Sequence, residues 1–237
     1  MTSFSSRPHI ENCTDCDQRS LRLFCNLNQE ALRSFDQIGT HFTVPARTIL
    51  FEESQQANGV FVICSGQVKL STTSKEGRTM ILRIAGPGDV LGLSATLNNI
   101  AHEVTAESIG PSALKSVHRQ EFLHFLEEHA EVGEKAARSL AKEYHEVFLD
   151  ARRLAISGSA AGRLAQLLVE WANTAACGKP ELRFTMALTH EELGNMAGTS
   201  RETVTRLLNQ FERDQLIVRR GSSLTIINSP GLSKLAG

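Results

Sequence analysis

The sequence predicts an α+β chain in three parts: an N-terminal β-barrel, a long helix and a C-terminal winged helix-turn-helix. Three observations predict it. Short runs of alternating apolar residues recur between turn signals from His41 to about Val117. An apolar seam with 4-3-4-3-4-3 spacing runs from Gly133 to Leu154. Two helix starts of the form Thr-x-x-Glu follow closely on each other, at Thr189 and Thr199.

Residues 1–28 read as a polar arm that carries cysteines. Asn28 is a fitting N-cap for a short helix ending near Ile38, with Leu32, Phe35 and Ile38 on its buried face. The barrel is expected within 29–119. Its strands are "RTILFEE", "GVFVICSG", "QVKLSTTS", "RTMILRIAGPG", "DVLGLSATL", "HEVTAES" and "SALKSVH", at the spacing of an all-β sandwich or barrel. Residues 120–156 read as one continuous helix. Its seam of Gly133, Ala137, Leu140, Tyr144, Val147, Ala151 and Leu154 repeats like the a and d positions of a coiled coil. The interface of a homodimer is therefore expected at Leu140, Tyr144, Val147, Ala151 and Leu154, with a helix packed on its own barrel as the alternative. The last part, 157–237, opens with a second apolar helix and ends in a compact α/β unit.

Of the 237 residues 41% are apolar, and the formal net charge is −1. From Ile156 onward 9 basic residues face 7 acidic ones, so the C-terminal part is the mildly basic one. No apolar run reaches the ~18 residues of a membrane span. The N-terminus lacks the apolar core of a signal peptide, which leads to the expectation of a cytoplasmic protein with no membrane partner. Five cysteines, an odd number, do not suggest a disulfide framework. No phosphate-cradling loop, G-x-S-x-G elbow or H-E-x-x-H pair is present, so an enzyme is not expected.

The two Thr-x-x-Glu boxes each start a helix by satisfying backbone N–H groups. The first helix buries Leu193 and Met196, and the second buries Val204, Leu207, Leu208 and Phe211. The intervening "AGT" is the tight turn of a helix-turn-helix, and "LIVRRGSSLTII" reads as a wing. Arg201, Glu202, Thr205 and Arg206 share the outward face at the start of the second helix, with Thr189 and Ser200 at the two helix starts. Arginine forks match guanine O6 and N7, and a glutamate accepts from cytosine N4. This face is therefore expected to read double-stranded DNA in the major groove.

Barrel, long helix and winged helix-turn-helix, in that order, resemble the Crp/Fnr superfamily of bacterial transcription regulators over about residues 25–230. The resemblance implies a jelly-roll barrel like the cyclic-nucleotide-binding domain, a homodimer, and RNA polymerase as a partner. "TSRETVTRLLNQFERDQLI" is similar to the reading helix of the cyclic-AMP-receptor branch. It implies that Arg201 and Arg206 bind guanines, that Glu202 binds a cytosine, and that the site is a palindrome with TGTGA-like half-sites. Cyclic AMP itself is not expected. The lead Gly88-Asp89-Val90-Leu91-Gly92 is followed by Leu93 in place of the branch's ribose-binding glutamate, and no arginine stands between Arg83 and Arg119 to meet a phosphate. His102 is a candidate haem ligand, with a structural histidine as the plainer reading.

Cys13, Cys16 and Cys25 precede the barrel, where the fumarate-nitrate branch carries three ligands of a 4Fe-4S cluster. The branch's fourth ligand falls here near Leu114–Lys115, neither of which is a cysteine. Cys64, the barrel's own cysteine, is the candidate fourth ligand, and His9 is an alternative that would also suit zinc. Cys177 reads as a bystander. The expected signal is redox, oxygen or nitric oxide taken at these cysteines. A thiol switch, a zinc site, cysteines with no sensing role and a small effector in the barrel remain open alternatives.

Overall fold

A computed structural model describes residues 12–236 except 17, 18, 23, 78, 157, 158, 177–181 and 187. His9 and Cys177 lie outside the described residues. The chain divides into two compact units, Met1–Ser74 with Leu82–Glu146, and Lys75–Ile81 with Val147–Gly237.

The first unit opens with two short 3-10 turns, Cys13–Asp15 and Arg19–Leu21, and then helix α1, Gln29–Gln37. Asn28 caps α1 by accepting from the Ala31 N–H at 3.0 Å, as its sequence predicts. Eight strands follow: β1 (Thr40–Val44), β2 (Ile49–Phe51), β3 (Gly59–Ser65), β4 (Val68–Thr73), β5 (Thr79–Ala85), β6 (Val90–Leu91), β7 (Thr105–Ser108) and β8 (Ser112–His118). They form two four-stranded sheets of order β1-β8-β3-β6 and β2-β7-β4-β5. The expected strand "DVLGLSATL" is only partly one. After β6 the chain turns at Gly92 (φ 72°) into helix α2, Leu93–Asn98.

Alternation along β3 assigns the two faces of its sheet. Ile63 faces a core with Phe51, Val68, Leu70, Ala85, Leu91, Ala106 and Leu114, and Phe61 packs against it. Val60 and Val62 face the opposite way, into a second core with Leu32, Phe35, Val117, Phe122, Phe125, Val132 and Ala136. This second core lies between the sheet and the helices. Phe24 is 0% exposed within it and fastens the N-terminal arm, with its ring 5.8 Å from Phe35 and 6.1 Å from Phe122.

The helix expected over 120–156 is two helices, α3 (Arg119–Glu128) and α4 (Ala130–Ile156), broken at an extended His129 (φ −126°, ψ 94°). The break lets Phe122 and Phe125 of α3 and Val132 and Ala136 of α4 all enter one core. Leu140 also packs partly on that core.

The second unit holds α5 (Ala160–Ala176), β9 (Arg183–Thr185), α6 (His190–Ala197), α7 (Arg201–Arg213), β10 (Ile217–Arg220), β11 (Ser223–Ile226) and α8 (Ser229–Ala236). The three strands form an antiparallel sheet of order β10-β11-β9, and the two-residue turn between β10 and β11 uses Gly221 at φ 60°.

Candidate nucleic-acid interface and thiol cluster

Helix α6 begins with the expected capping box. The Glu192 N–H donates to Thr189 Oγ1 at 3.2 Å, and the Thr189 N–H donates to Glu192 Oε2 at 2.9 Å. The second box does not form. Helix α7 starts one residue later than expected and is capped by Ser200, whose Oγ accepts from the Thr203 N–H at 3.3 Å. Ser200, Arg201, Glu202 and Arg206 are exposed, and Thr205 is half-buried beside them. Among the described residues no hydrogen bond or ion pair engages the side chains of Arg201 and Arg206, so their forks are open to a ligand. The Glu202 carboxyl is held below its usual range by its own backbone N–H and the Ser200 hydroxyl at the helix start. It is an anion at neutral pH, suited to accept from a base.

The turn between α6 and α7 is tightly built. Gly198 takes φ 59°, and a Cβ on Gly194 would lie 2.7 Å from the Thr199 carbonyl oxygen. Arg163 of α5 donates to the Ala197 carbonyl at 2.7 Å and the Gly198 carbonyl at 3.3 Å, satisfying the end of α6. Sequence reasoning missed His190. Its Nδ1 lies 2.8 Å from Thr205 Oγ1, while that hydroxyl donates to the Arg201 carbonyl at 2.9 Å. The hydroxyl has one proton and a carbonyl can only accept, so His190 is the donor to Thr205. Burial, Arg219 and Arg201 all hold the His190 pKa down. The wing is tied to α7 by Arg219, whose guanidinium lies 2.6 Å from both Glu212 Oε2 and Asn209 Oδ1.

In the first unit the four candidate cysteines come together. His41, Lys115 and Val62 pair across β1, β8 and β3 and share the sheet's outer face. Pairing of β3 with β8 slips between Ile63 and Ser65. Cys64 is the extra residue of that bulge, beside Leu114 on the neighbouring strand, and its Sγ lies 4.0 Å from His41 Nδ1. Cys13 of the arm approaches the same ring from the other side, with Sγ 3.7 Å from Nε2, and its N–H donates to Asp36 Oδ1 at 2.9 Å. Cys16 Sγ lies 3.6 Å from Arg22 Nη1. Five of the six cysteine pairs, all but Cys13 with Cys16, are near enough for one thiolate to raise the pKa of the other.

Burial is the largest influence on these thiols. It pushes Cys13 and Cys25 up to about 12 and raises Cys64, against the lowering effect of Lys115 and Arg22. As free thiols they are protonated at neutral pH and weak nucleophiles, the reverse of the exposed, low-pKa cysteines that exchange disulfides readily. A bound cation changes this, because coordination deprotonates a thiol outright. Among the described residues one trio, Cys13, Asp36 and His41, has ligand atoms all within 4.8 Å of one another. His102 serves packing: it is 5% exposed and stacks on Phe51 with ring centroids 3.8 Å apart.

Residues 162–235 match the Crp-like helix-turn-helix domain, and residues 41–129 match the cyclic nucleotide-binding domain. The chain belongs to the Crp/Fnr family of transcription regulators. Like its family it is a DNA-binding regulator and not an enzyme. This Crp/Fnr chain is 29% identical over 195 residues to the CRP-like cAMP-activated global transcriptional regulator of Mycobacterium tuberculosis, covering 81% of this chain and 86% of that one. It is 25% identical over 228 residues to the fumarate and nitrate reduction regulatory protein of Yersinia pestis, covering 95% and 90%. FixK2 from Bradyrhizobium japonicum shares the fold, with a TM-score of 0.76 at 22% identity over 84% of this chain and 98% of that one. Among the described residues no helix is long and apolar enough to cross a membrane.

Proposed function

We propose that this regulator acts as a homodimer on a palindrome with TGTGA-like half-sites and takes a redox, oxygen or nitric oxide signal at Cys13, Cys16, Cys25 and Cys64. The observation that carries the signal is the convergence of three arm cysteines with the bulged Cys64 of β3. The donor set fits a 4Fe-4S cluster: four half-buried sulfur ligands beside two cations, with Cys13 and Cys25 against an apolar core. Cys64 stands one strand across from the position where the fumarate-nitrate branch has its fourth ligand, so the bulge supplies locally what Leu114 and Lys115 do not. When bound, the cluster supplies a centre that oxygen or nitric oxide dismantles. The protein's part is to hold four thiolates in register, exclude water with Phe24 and its neighbours, and report their release through the arm.

On the DNA side Arg201 and Arg206 read guanines, Glu202 a cytosine, and Thr205, aligned by His190, lies among them. Helix α4 offers the dimer contact: Tyr144 is 74% and Phe148 55% exposed, with Val147 between them. The side chains of Ala151 and Leu154 lie outside the described residues. RNA polymerase is the proposed protein partner. Cyclic AMP is a poor ligand for this barrel, because Leu93 is buried at 1% exposure where the receptor branch places its carboxylate.

The test is anaerobic purification with iron and sulfide quantitation and an absorption spectrum before and after air. About four irons per chain, bleaching in air and a parallel change in affinity for TGTGA-type DNA support the reading. Iron-free protein that binds this DNA equally with and without air rejects the sensing role and leaves the DNA-reading role standing.

A further inference from the structure

The side chain of Lys115 is the least expected feature of the thiol cluster. It is 1% exposed. Its ammonium donates to the Asp36 carbonyl at 3.3 Å, lies 3.3 Å from His41 Nε2 and sits 5.1 Å over the Phe35 ring. All of these partners are neutral. Among the described residues no carboxylate lies within ion-pair distance of it. Asp36 gives its carboxylate to the Cys13 N–H and to His41, the latter at 4.0 Å. A buried ammonium without a counter-charge is costly, so the fold holds this one for an anion not supplied by its carboxylates.

The groups that feel Lys115 are Cys13, Cys64 and His41. Arg22 lies against Cys16 and acts on Cys25 and Cys64. A Cβ on Gly88 would lie 2.6 Å from Arg22 Cβ, so the turn at Gly88 backs Arg22 against the thiols. Two cations thus act on the thiols, Lys115 on Cys13 and Cys64 and Arg22 on Cys25 and Cys64, with Arg22 also against Cys16. Four thiolates around a dicationic iron–sulfur core leave a net dianion.

We propose that Lys115 and Arg22 are the built-in counter-charges of the cluster. This rests on the iron–sulfur reading above. The two cations favour the more negative states of the centre, so they resist its oxidation as well as the loss of its thiolates. Lys115 is a positioning and charge-compensating residue, not a ligand.

The test compares wild type, Lys115→Met, Lys115→Arg and Arg22→Gln. Each is melted without iron and then reconstituted anaerobically with iron and sulfide. In iron-free protein Lys115→Met removes an unmatched buried charge and should raise the melting temperature. In reconstituted protein the same variant should lose iron to a chelator about 10- to 100-fold more readily, and bleach faster in air. Lys115→Arg should keep wild-type retention, and Arg22→Gln should lose iron more readily. Opposite signs in the two states are something that a merely structural lysine would not give. Lys115→Met that retains iron like wild type, or that melts lower when iron-free, overturns the proposal. If Lys115→Met does not fold, Arg22→Gln decides by its iron retention. Wild type that takes up no iron defeats the cluster reading itself, and this inference with it. That outcome is distinct from a cluster indifferent to Lys115.

Discussion

Arg206 carries the sharpest prediction at the scale of single residues. Its fork is exposed on the first turns of α7 and held by no partner among the described residues. Arg206→Ala should cost about 1–3 kcal/mol on the specific site and relax the preference for guanine there, with random DNA much less affected. Competition binding on paired oligonucleotides reads this directly; an equal loss on random DNA would move base reading elsewhere. Gly194 tests the scaffold behind it. A side chain there meets the Thr199 backbone carbonyl, which cannot move without opening the turn. Gly194→Val should therefore lower the melting temperature and abolish specific binding together. Arg201, Glu202 and Arg206 were legible in the sequence because helical period alone sets their common face. His190 was not. Its bond to Thr205 depends on how α6 crosses α7, and nothing in its own neighbourhood in the sequence signals that crossing.

At the scale of elements, an ion-pair group fastens α4 to the barrel. Arg83 of β5 lies 2.6 Å from Asp89, 3.2 Å from Glu146 and 3.7 Å from Glu143, while Lys142 lies 3.1 Å from Asp89. Two of these three carboxyls, Asp89 and Glu143, shift in opposite senses. For Asp89 the pull of Arg83, the Gly86 N–H and Lys142 outweighs burial, and its pKa is held below the usual range. For Glu143, farther from Arg83, burial wins and its pKa is raised. Asp89 thus contributes stability that is present above the ordinary carboxylate pKa of about 3.9 and lost as pH falls through its lower folded value. Glu143 contributes the other way, gaining stability as it protonates. Thermal melts between neutral and acid pH should show Asp89→Asn with a shallower acid limb than wild type; equal limbs would mean that the pair adds nothing. The seam of α4 was visible in the sequence as a period, but its division of labour was not. Val132 and Ala136, just off that seam, pack on the chain's own core, while Tyr144 and Phe148 are left outward. The break at His129 was likewise hidden, since no proline or glycine marks it and only the shared core explains it.

For the whole molecule, a regulator that meets many phosphates should lose DNA affinity steeply with salt, a slope of roughly −0.9 per phosphate neutralised. Titrations across salt on specific and random DNA measure it. Charged replacements on the outward stripe, Tyr144→Glu with Phe148→Glu, should yield monomers in sedimentation and weaken binding to a two-half-site operator more than to a single half-site. A dimer that persists would place the interface away from this stripe. The sequence by itself determined the order of parts, most strands of the barrel, the exposed face of α7 and its buried side. Each of these follows from a local period or a local cap, which neighbours in the chain enforce. Tertiary structure decided what depends on residues far apart in sequence. A bulge in β3 turns Cys64 toward an arm anchored by Phe24, and β8 delivers a buried lysine to the same place. Those contacts join residues as much as 102 positions apart, Cys13 with Lys115, and no local pattern records them. They arise because burying Phe24 against Phe35 and Phe122 holds the arm beside the sheet.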